Sequence, residues 1–321
     1  MKLSVLTAVL YNTDLEGAFQ YLSAHGVHSV ELPAGGYSGN RHLNAAQLLS
    51  DEAALQKVRD LLKKYDMEIS ALSCHGNPVH PNQETAEAYN KIFEDGVLLA
   101  EKLGVGTVVT FSGCPGDCPE SKYPNWVTCP WPEDFLTILD YQWNEVLIPY
   151  WKKAAAFAEA HGVRKIALEL HPGFCCYNPE TLLKLRAAVG PAIGANLDPS
   201  HFFWQGIDIV AAIRELGPAI YHFHAKDTKV DAINTAKNGV LDTKHYSEEL
   251  RRSWIFRTVG YGHGEETWRD ILSNLRMVGY DGAISIEHED GLMSAGEGLE
   301  KAIDFLKPLL LMEDTGAMWW A

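Results

Sequence analysis

Residues 158–170 read AEAHGVRKIALEL, and the order of residue types in this stretch is the key to the chain. An alanine-rich amphipathic segment stops at Gly162, a short polar spacer follows, and a compact apolar run closes on a carboxylate, Glu169. Glycine suits such a boundary because a residue without Cβ takes left-handed backbone angles without a clash, and so ends a helix. The same phrase recurs as SAHGVHSVEL (23–32), AEKLGVGTVVTF (100–111), RAAVGPAIGANL (186–197), RELGPAIYHFH (214–224) and RMVGYDGAISIEH (276–288). Gly26, Gly104, Gly162, Gly190, Gly217 and Gly279 therefore mark helix-to-strand turns. With two further apolar runs added, β-segments are expected near 3–10, 28–33, 67–74, 107–112, 165–171, 193–198, 219–225 and 282–288, with helical sequence between them. Strict alternation implies parallel strands and right-handed crossovers, and eight units with nearly continuous apolar strands close an α/β barrel, the (β/α)8 TIM barrel.

An open doubly wound sheet would carry a glycine-rich nucleotide turn after an early strand. Val9–Gly17 has no such cluster, and GYGHG at 260–264 follows no recognisable strand, so it reads as loop. The expected organisation is a single domain over residues 1–321 with two insertions, near 113–131 and 227–264. Both insertions follow strands, and in a barrel such loops gather on the catalytic face as walls or lids.

The chain has 321 residues, with 27 Lys+Arg against 42 Asp+Glu and a formal charge of −15. A barrel of this size buries about three quarters of its unfolded surface, so it needs no disulfide staple. The acidic balance and the lack of a Lys/Arg-rich run argue against nucleic acid as a partner, since phosphate binding draws its affinity from basic side chains. No apolar run approaches the ~18 residues of a spanning helix and the N-terminus lacks a cleavage signal, so no membrane partner and a cytoplasmic location are expected. Cys74, Cys114, Cys118, Cys129, Cys175 and Cys176 are sparse and include an adjacent pair, which suits reduced thiols better than a disulfide framework. Cys114, Cys118 and Cys129 lack the paired spacing of a thiolate metal site.

Charged residues at the C-terminal ends of the last four strands carry the chemistry: Glu169, Asp198, His224 and Glu287. Three carboxylates gathered at one mouth would repel or take up protons unless a cation holds them together. Three carboxylates and one imidazole form a mostly hard donor set, which favours Mn²⁺, with Mg²⁺, Co²⁺ or Zn²⁺ as alternatives. Residues two apart on a strand share a face, so His171 accompanies Glu169, His222 and Lys226 accompany His224, and Glu289 accompanies Glu287. His201 follows Asp198 in the next loop, and His75 ends the third strand facing the same mouth. Lys226, His75 and His201 are thus candidate substrate contacts, and Arg257, His263 and Trp126 are loop residues able to meet a polyol. Glu31, ending the second strand, reads as structural. Trp319 and Trp320 at the C-terminus are candidates for burial in a homo-oligomer, against an accessory subunit, or equally under the barrel itself.

LELHPG (168–173), NLDPSH (196–201), HFHAKD (222–227) and GYDGAISIEHED (279–290) together resemble the xylose isomerase-like barrel superfamily, specifically its sugar phosphate isomerases/epimerases. The resemblance implies that Glu169, Asp198, His224 and Glu287 are the four metal ligands and that His201 meets the substrate. It further implies an isomerase or epimerase acting on a ketose or related polyol ketone, with Glu169 and Glu287 moving a proton through an enediolate. No phosphate cradle is evident. The same superfamily holds inosose dehydratases and lyases that cleave oxidised C- or O-glycosides, whose proposed base resembles His171; a metal-dependent lyase is therefore the alternative. The superfamily's AP endonucleases need a His after strand four, where this chain has TFSGC (110–114), and an Asp-x-His where it has Tyr261-Gly262-His263. A non-catalytic binding protein would have no use for the intact four-group set.

Overall fold

Alternation along each apolar run decides which side chains reach the barrel interior. The computed structural model describes residues 1–320. Strands β1 (Lys2–Leu6), β2 (Ser29–Pro33), β3 (Glu68–Ser73), β4 (Thr107–Phe111), β5 (Lys165–Glu169), β6 (Ile193–Leu197), β7 (Ile220–Ala225) and β10 (Ala283–Ile286) close a parallel barrel in the order β1-β2-β3-β4-β5-β6-β7-β10. Between β7 and β10 lie β8 (Asp227–Val230) and β9 (Trp254–Arg257), an antiparallel pair outside the barrel.

Val30 and Leu32 of β2, Ile166 and Leu168 of β5, Ile193, Ala195 and Leu197 of β6, Phe223 and Ala225 of β7, and Ile284 and Ile286 of β10 join one core. Phe19, Phe93, Trp151 and Trp268 of the surrounding helices pack into that core. Each such side chain gains roughly 1.5–3 kcal/mol on leaving water, so the outward row fixes the parity of the strand. The intervening residues then point inward: Glu31, Glu169, Asn196, His222, His224 and Ser285, all buried. Ala71, Val109 and Ala167, packed on Tyr221, form a small separate apolar cluster.

All six glycines expected to end helices have positive φ, from 47° at Gly217 to 131° at Gly190. The first strand differs from its expected span: it stops at Leu6, and Thr7–Leu10 wind into a short 3-10 turn, so that Ala8 and Val9 line the mouth. The fifth and last barrel strands end at Glu169 and Ile286, so His171 and Glu287 stand just beyond the ladder. GYGHG at 260–264 does follow a strand, β9, which pairs Asp227 with Arg257 through Val230 with Trp254. That strand is four residues long and its partner lies more than twenty residues earlier, too little local pattern to read from sequence.

The segment after β4 holds no strand. Asn77 clamps it through its side chain, accepting from Cys114 N–H at 3.0 Å and donating to Cys114 C=O at 2.9 Å. Gln142 donates to the carbonyls of Pro115, Gly116 and Asn125. All six cysteines are unpaired. Trp319 and Trp320 are exposed. Among the described residues no helix is long and apolar enough to cross a membrane.

Candidate metal centre

The inward rows of β5, β6, β7 and β10 deliver Glu169, Asp198, His224 and Glu287 to one place, where one ligand atom of each lies within 4.8 Å of the others. Register explains the convergence. Glu169 lies level with Asn196 on β6, Asn196 with His222 on β7, and His224 with Ser285 on β10, so Asp198 and Glu287 each stand two residues above a paired neighbour. Asp198 also starts the helix Pro199–Gln205, its Oδ1 accepting from Ser200 N–H at 2.8 Å, which leaves Oδ2 turned toward the cluster.

His224 is oriented from below. Glu31 reaches across the interior from β2 and accepts from His224 Nε2, at 2.9 Å to Oε2 and 3.1 Å to Oε1. Ser73 and Ser285 donate to the same carboxylate. His224 Nδ1 is thereby presented to Glu287 Oε2 at 3.0 Å and Glu169 Oε2 at 3.3 Å. A second set, Glu31, His222 and His224, is also close enough to hold an ion, but the Glu31 oxygens are already occupied by two hydroxyls and an imidazole. Glu31 is the orienting carboxylate of a carboxylate–histidine pair, an arrangement that fixes the tautomer of a ligating imidazole. Its role departs from the purely structural reading. The signal was present in SVELP: a carboxylate at the centre of an apolar run must have a partner.

Glu169 is held from three sides. His75 Nε2 approaches Oε2 at 2.9 Å, His201 Nε2 approaches Oε1 at 3.2 Å, and Asn196 donates to Oε2 at 3.3 Å. Lys226 Nζ lies 2.9 Å from Glu287, 3.1 Å from Asp198 and 3.1 Å from Glu289. Burial pushes Glu169 upward, but the contacts with His201, His224 and His75 outweigh it and hold the carboxyl well below its usual range. Burial likewise opposes charge on His224, yet Glu31 and Glu287 raise it well above an ordinary imidazole. Asp198 goes the other way: burial, aided by the Glu169 and Glu287 charges and only partly offset by Lys226, pushes it up to about 7.

Asp198 Oδ2, His224 Nδ1 and His201 Nδ1 are buried without a hydrogen-bond partner. The Lys226 ammonium near Asp198 makes a charge contact, not a well-directed hydrogen bond. Unpaired buried polar atoms cost free energy, and two of these three belong to the four converging groups. The donor set therefore fits a divalent cation. Among the described residues, neither group able to hold an ion contains a cysteine.

The cavity above the cluster, about 330 Å³, is lined by His75, Phe111, Glu169, His171, Lys226 and Glu287 together with Tyr11, Tyr37 and Glu289. His171 stands at its edge, its ring 4.1 Å from that of His201 and its Nδ1 2.5 Å from Pro172 O. Arg257 and His263 lie outside this lining. Arg257 donates from Nε to Asp290 at 3.0 Å; His263 bonds Asp227 through its ring and backbone N–H and stacks on Phe203. Trp126 packs edge-on against Tyr177 instead. Arg257 and His263 are both held by buried carboxylates, a demand that the loop sequence alone does not reveal.

Glu31→Gln removes the charge that orients His224 while keeping its shape. Metal affinity is expected to fall by about 10–100-fold, the usual cost of losing an outer carboxylate partner. Competition with a fluorescent chelator measures this, and unchanged affinity in a protein with native circular dichroism would remove Glu31 from the site.

A closed parallel barrel with carboxylates and an imidazole at its strand ends also characterises the family whose pattern this chain matches. The chain belongs to the xylose isomerase-like TIM barrel family, whose pattern matches residues 19–309. It is 41% identical over 309 residues to the uncharacterized protein YfiH of Bacillus subtilis (strain 168), covering 96% of this chain and 98% of the relative. Two crystal structures share the fold at 20% identity. One is a D-tagatose 3-epimerase-like protein, with a TM-score of 0.64 over 96% of this chain and 98% of that one. The other is the IOLI protein with a bound zinc atom, with a TM-score of 0.65 over 98% and 100%.

Proposed function

We propose that this protein is a divalent-metal-dependent isomerase or epimerase of a ketose or related polyol ketone. The observation that carries the reading is the convergence of Glu169, Asp198, His224 and Glu287 within 4.8 Å, with Asp198 Oδ2 and His224 Nδ1 lacking hydrogen-bond partners. These four residues would hold the ion. A bound divalent cation would polarise a carbonyl and acidify the adjacent C–H. The zinc in the IOLI structure and the epimerase-like description of the other neighbour agree with this reading. Mn²⁺ is favoured by the hard donor set.

The chain's own groups can then be given work. Glu169 on β5 and Glu287 after β10 stand three strands apart around the barrel, so they approach a bound sugar from different sides. One removes the proton beside the carbonyl and the other returns it, a division of labour that needs two carboxyl groups within reach of one carbon. His75 and His201 hold Glu169 in its rotamer through the contacts described above. The Lys226 ammonium, 2.9 Å from Glu287, supplies fixed positive charge where the carbonyl oxygen gains negative charge.

A second reading uses the same first step. His171 borders the cavity beside Glu169, and burial lowers its pKa, so it stays neutral and able to accept a proton. If the substrate carries a leaving group one carbon further on, the same proton removal ends in elimination of water or an alcohol, as in a dehydratase or glycoside lyase.

The test is a time course in D₂O with metal-loaded protein and a panel of ketoses, inososes and keto-glucosides, read by NMR after quenching. Deuterium beside the carbonyl together with a new epimer or aldose is the expected result. Loss of water or an aglycone without an epimer would move the assignment to the lyase reading. No exchange with any member, in protein shown to contain metal, would count against both.

A further inference from the structure

Barrel interiors are usually packed with branched apolar side chains, yet a line of polar ones crosses this interior and ends on Glu169. Ser4 Oγ on β1 lies 3.2 Å from Ser70 Oγ on β3, which lies 3.2 Å from His222 Nε2 on β7. His222 Nδ1 lies 3.0 Å from Asn196 Oδ1 on β6, and Asn196 Nδ2 donates to Glu169 Oε2 on β5 at 3.3 Å. Ser4, His222, Asn196 and Glu169 are all buried. Buried polar groups cost free energy unless each finds a partner, and here every member relies on the next.

The chemistry of the end groups sets the direction of each bond. An amide oxygen carries no hydrogen, so the contact with Asn196 requires His222 to hold its proton on Nδ1 and donate it. Burial lowers the His222 imidazole to about 4, so the ring is neutral at pH 7 and Nε2 accepts from the Ser70 hydroxyl. No other group competes for Nδ1: Glu31 Oε2 is 3.9 Å away, beyond hydrogen-bond reach. With its oxygen engaged by His222, the Asn196 amide turns its Nδ2 toward Glu169. Released from His222, the amide could rotate by half a turn and set its oxygen against the carboxylate, which repels it. Neither His222 nor Asn196 lines the cavity, so each acts on the reaction only through Glu169.

We propose that His222 is a positioning residue for Glu169: it fixes the face of the Asn196 amide, so that the carboxylate meets an N–H donor from below and keeps the rotamer from which it moves a proton. The proposal rests on the reading of Glu169 as one of two proton-moving carboxyl groups. Glu287 lies outside the line, since Lys226 and His224 contact that carboxylate and Asn196 contacts Glu169. His222 therefore governs one half of the reaction.

Two measurements on the full chain test this. Nitrogen-15 NMR of the Mg²⁺-loaded protein reads the imidazole tautomer without substrate, with the His222 signals assigned by their loss in His222→Asn. The Nδ1–H form is expected in wild type, and Asn196→Ala should abolish that preference. An Nε2–H ring in wild type, or a tautomer indifferent to Asn196→Ala, would overturn the proposal. The second measurement is deuterium wash-in by Mn²⁺-loaded protein with both members of an epimer pair. His222→Leu removes the donor at similar size, and His222→Asn restores an N–H near the place of Nδ1. His222→Leu should slow exchange about tenfold, the low end of the cost of losing an outer partner, and only for the epimer that Glu169→Gln silences. His222→Asn should recover most of that rate. In an Asn196→Ala background His222→Leu should add nothing, because residues acting through one chain are not additive. Equal slowing of both epimers with metal retained, or additive losses, would overturn the proposal. If metal-loaded wild type exchanges no member of the panel, the proton-transfer reading fails and takes the role of His222 with it. Exchange by wild type together with the Nε2–H tautomer leaves that reading standing and overturns only the role of His222.

Discussion

The Asp198→Ala protein is expected to purify as a folded barrel that holds no stoichiometric divalent ion. Asp198 differs from the other three converging groups in how it is satisfied. His75, His201 and Asn196 surround Glu169, Glu31 holds His224, and Lys226 bonds Glu287, but Asp198 Oδ2 has no directed donor and its carboxyl is pushed up to about 7 by burial. A cation is what would make this carboxylate stable as an anion. Its loss should therefore cost more metal affinity than the about 10–100-fold of an outer partner. Stability should move in a diagnostic way. Metal at a hundred times its Kd stabilises a folded protein by about 2.7 kcal/mol, and that increment should vanish in the variant. The metal-free variant should differ from metal-free wild type by only about 1 kcal/mol, since removing the helix-capping oxygen costs about that much while removing a disfavoured buried carboxyl offsets part of it. Asp198→Asn keeps a capping oxygen for Ser200 N–H and serves as the control for the cap. Metal analysis of dialysed protein, with melting curves taken with and without added Mn²⁺, gives the answer. Full occupancy in Asp198→Ala would remove the proposed centre.

Much of this site is legible in the sequence because barrel strands encode direction in parity. Once Ile166 and Leu168 must face the helices, Glu169 has to face the interior, and the same logic turns His222 and His224 inward on either side of Phe223. Ends of strands were harder to place. The fifth strand stops at Glu169, whereas its apolar pattern runs on to Leu170, so His171 belongs to a turn and not to the ladder. Contacts across the barrel were not legible at all. Glu31 and His224 are 193 residues apart, and only closure of the ring brings β2 opposite β7. Arg257 and His263 show the converse. Their residue types suit a polyol, but Asp290 and Asp227, 33 and 36 residues away, engage them first. The outer pair followed the same rule: β8 and β9 find each other through pairing at a distance, and the Asn238-Gly239 turn signal between them ends a helix and makes no hairpin.

Glu287→Gln is expected to keep the fold and at least part of the metal while losing turnover. The amide retains an oxygen able to ligate, and Lys226 keeps Asp198 and Glu289 as partners, so the cluster does not collapse. What disappears is the ability to hold and release a proton, whose contribution is typically about 10²–10⁴-fold in rate. A general loss of activity would fit many explanations, so the decisive reading is directional. If Glu169 and Glu287 serve opposite sides of the sugar, the variant should still exchange deuterium into the epimer whose C–H faces Glu169, and should fail with the epimer whose C–H faces residue 287. Interconversion of the two then stops even though one half of the reaction survives. Glu169→Gln should show the mirror pattern, exchanging only the other epimer. Comparing wash-in rates for both epimers across the two variants separates proton transfer from metal loss, because an emptied site silences both epimers together. Normal turnover in Glu287→Gln would exclude it as an acid or base, and equal suppression of both epimers with metal fully retained would point to one shared base, for which His171 is the residue placed beside Glu169.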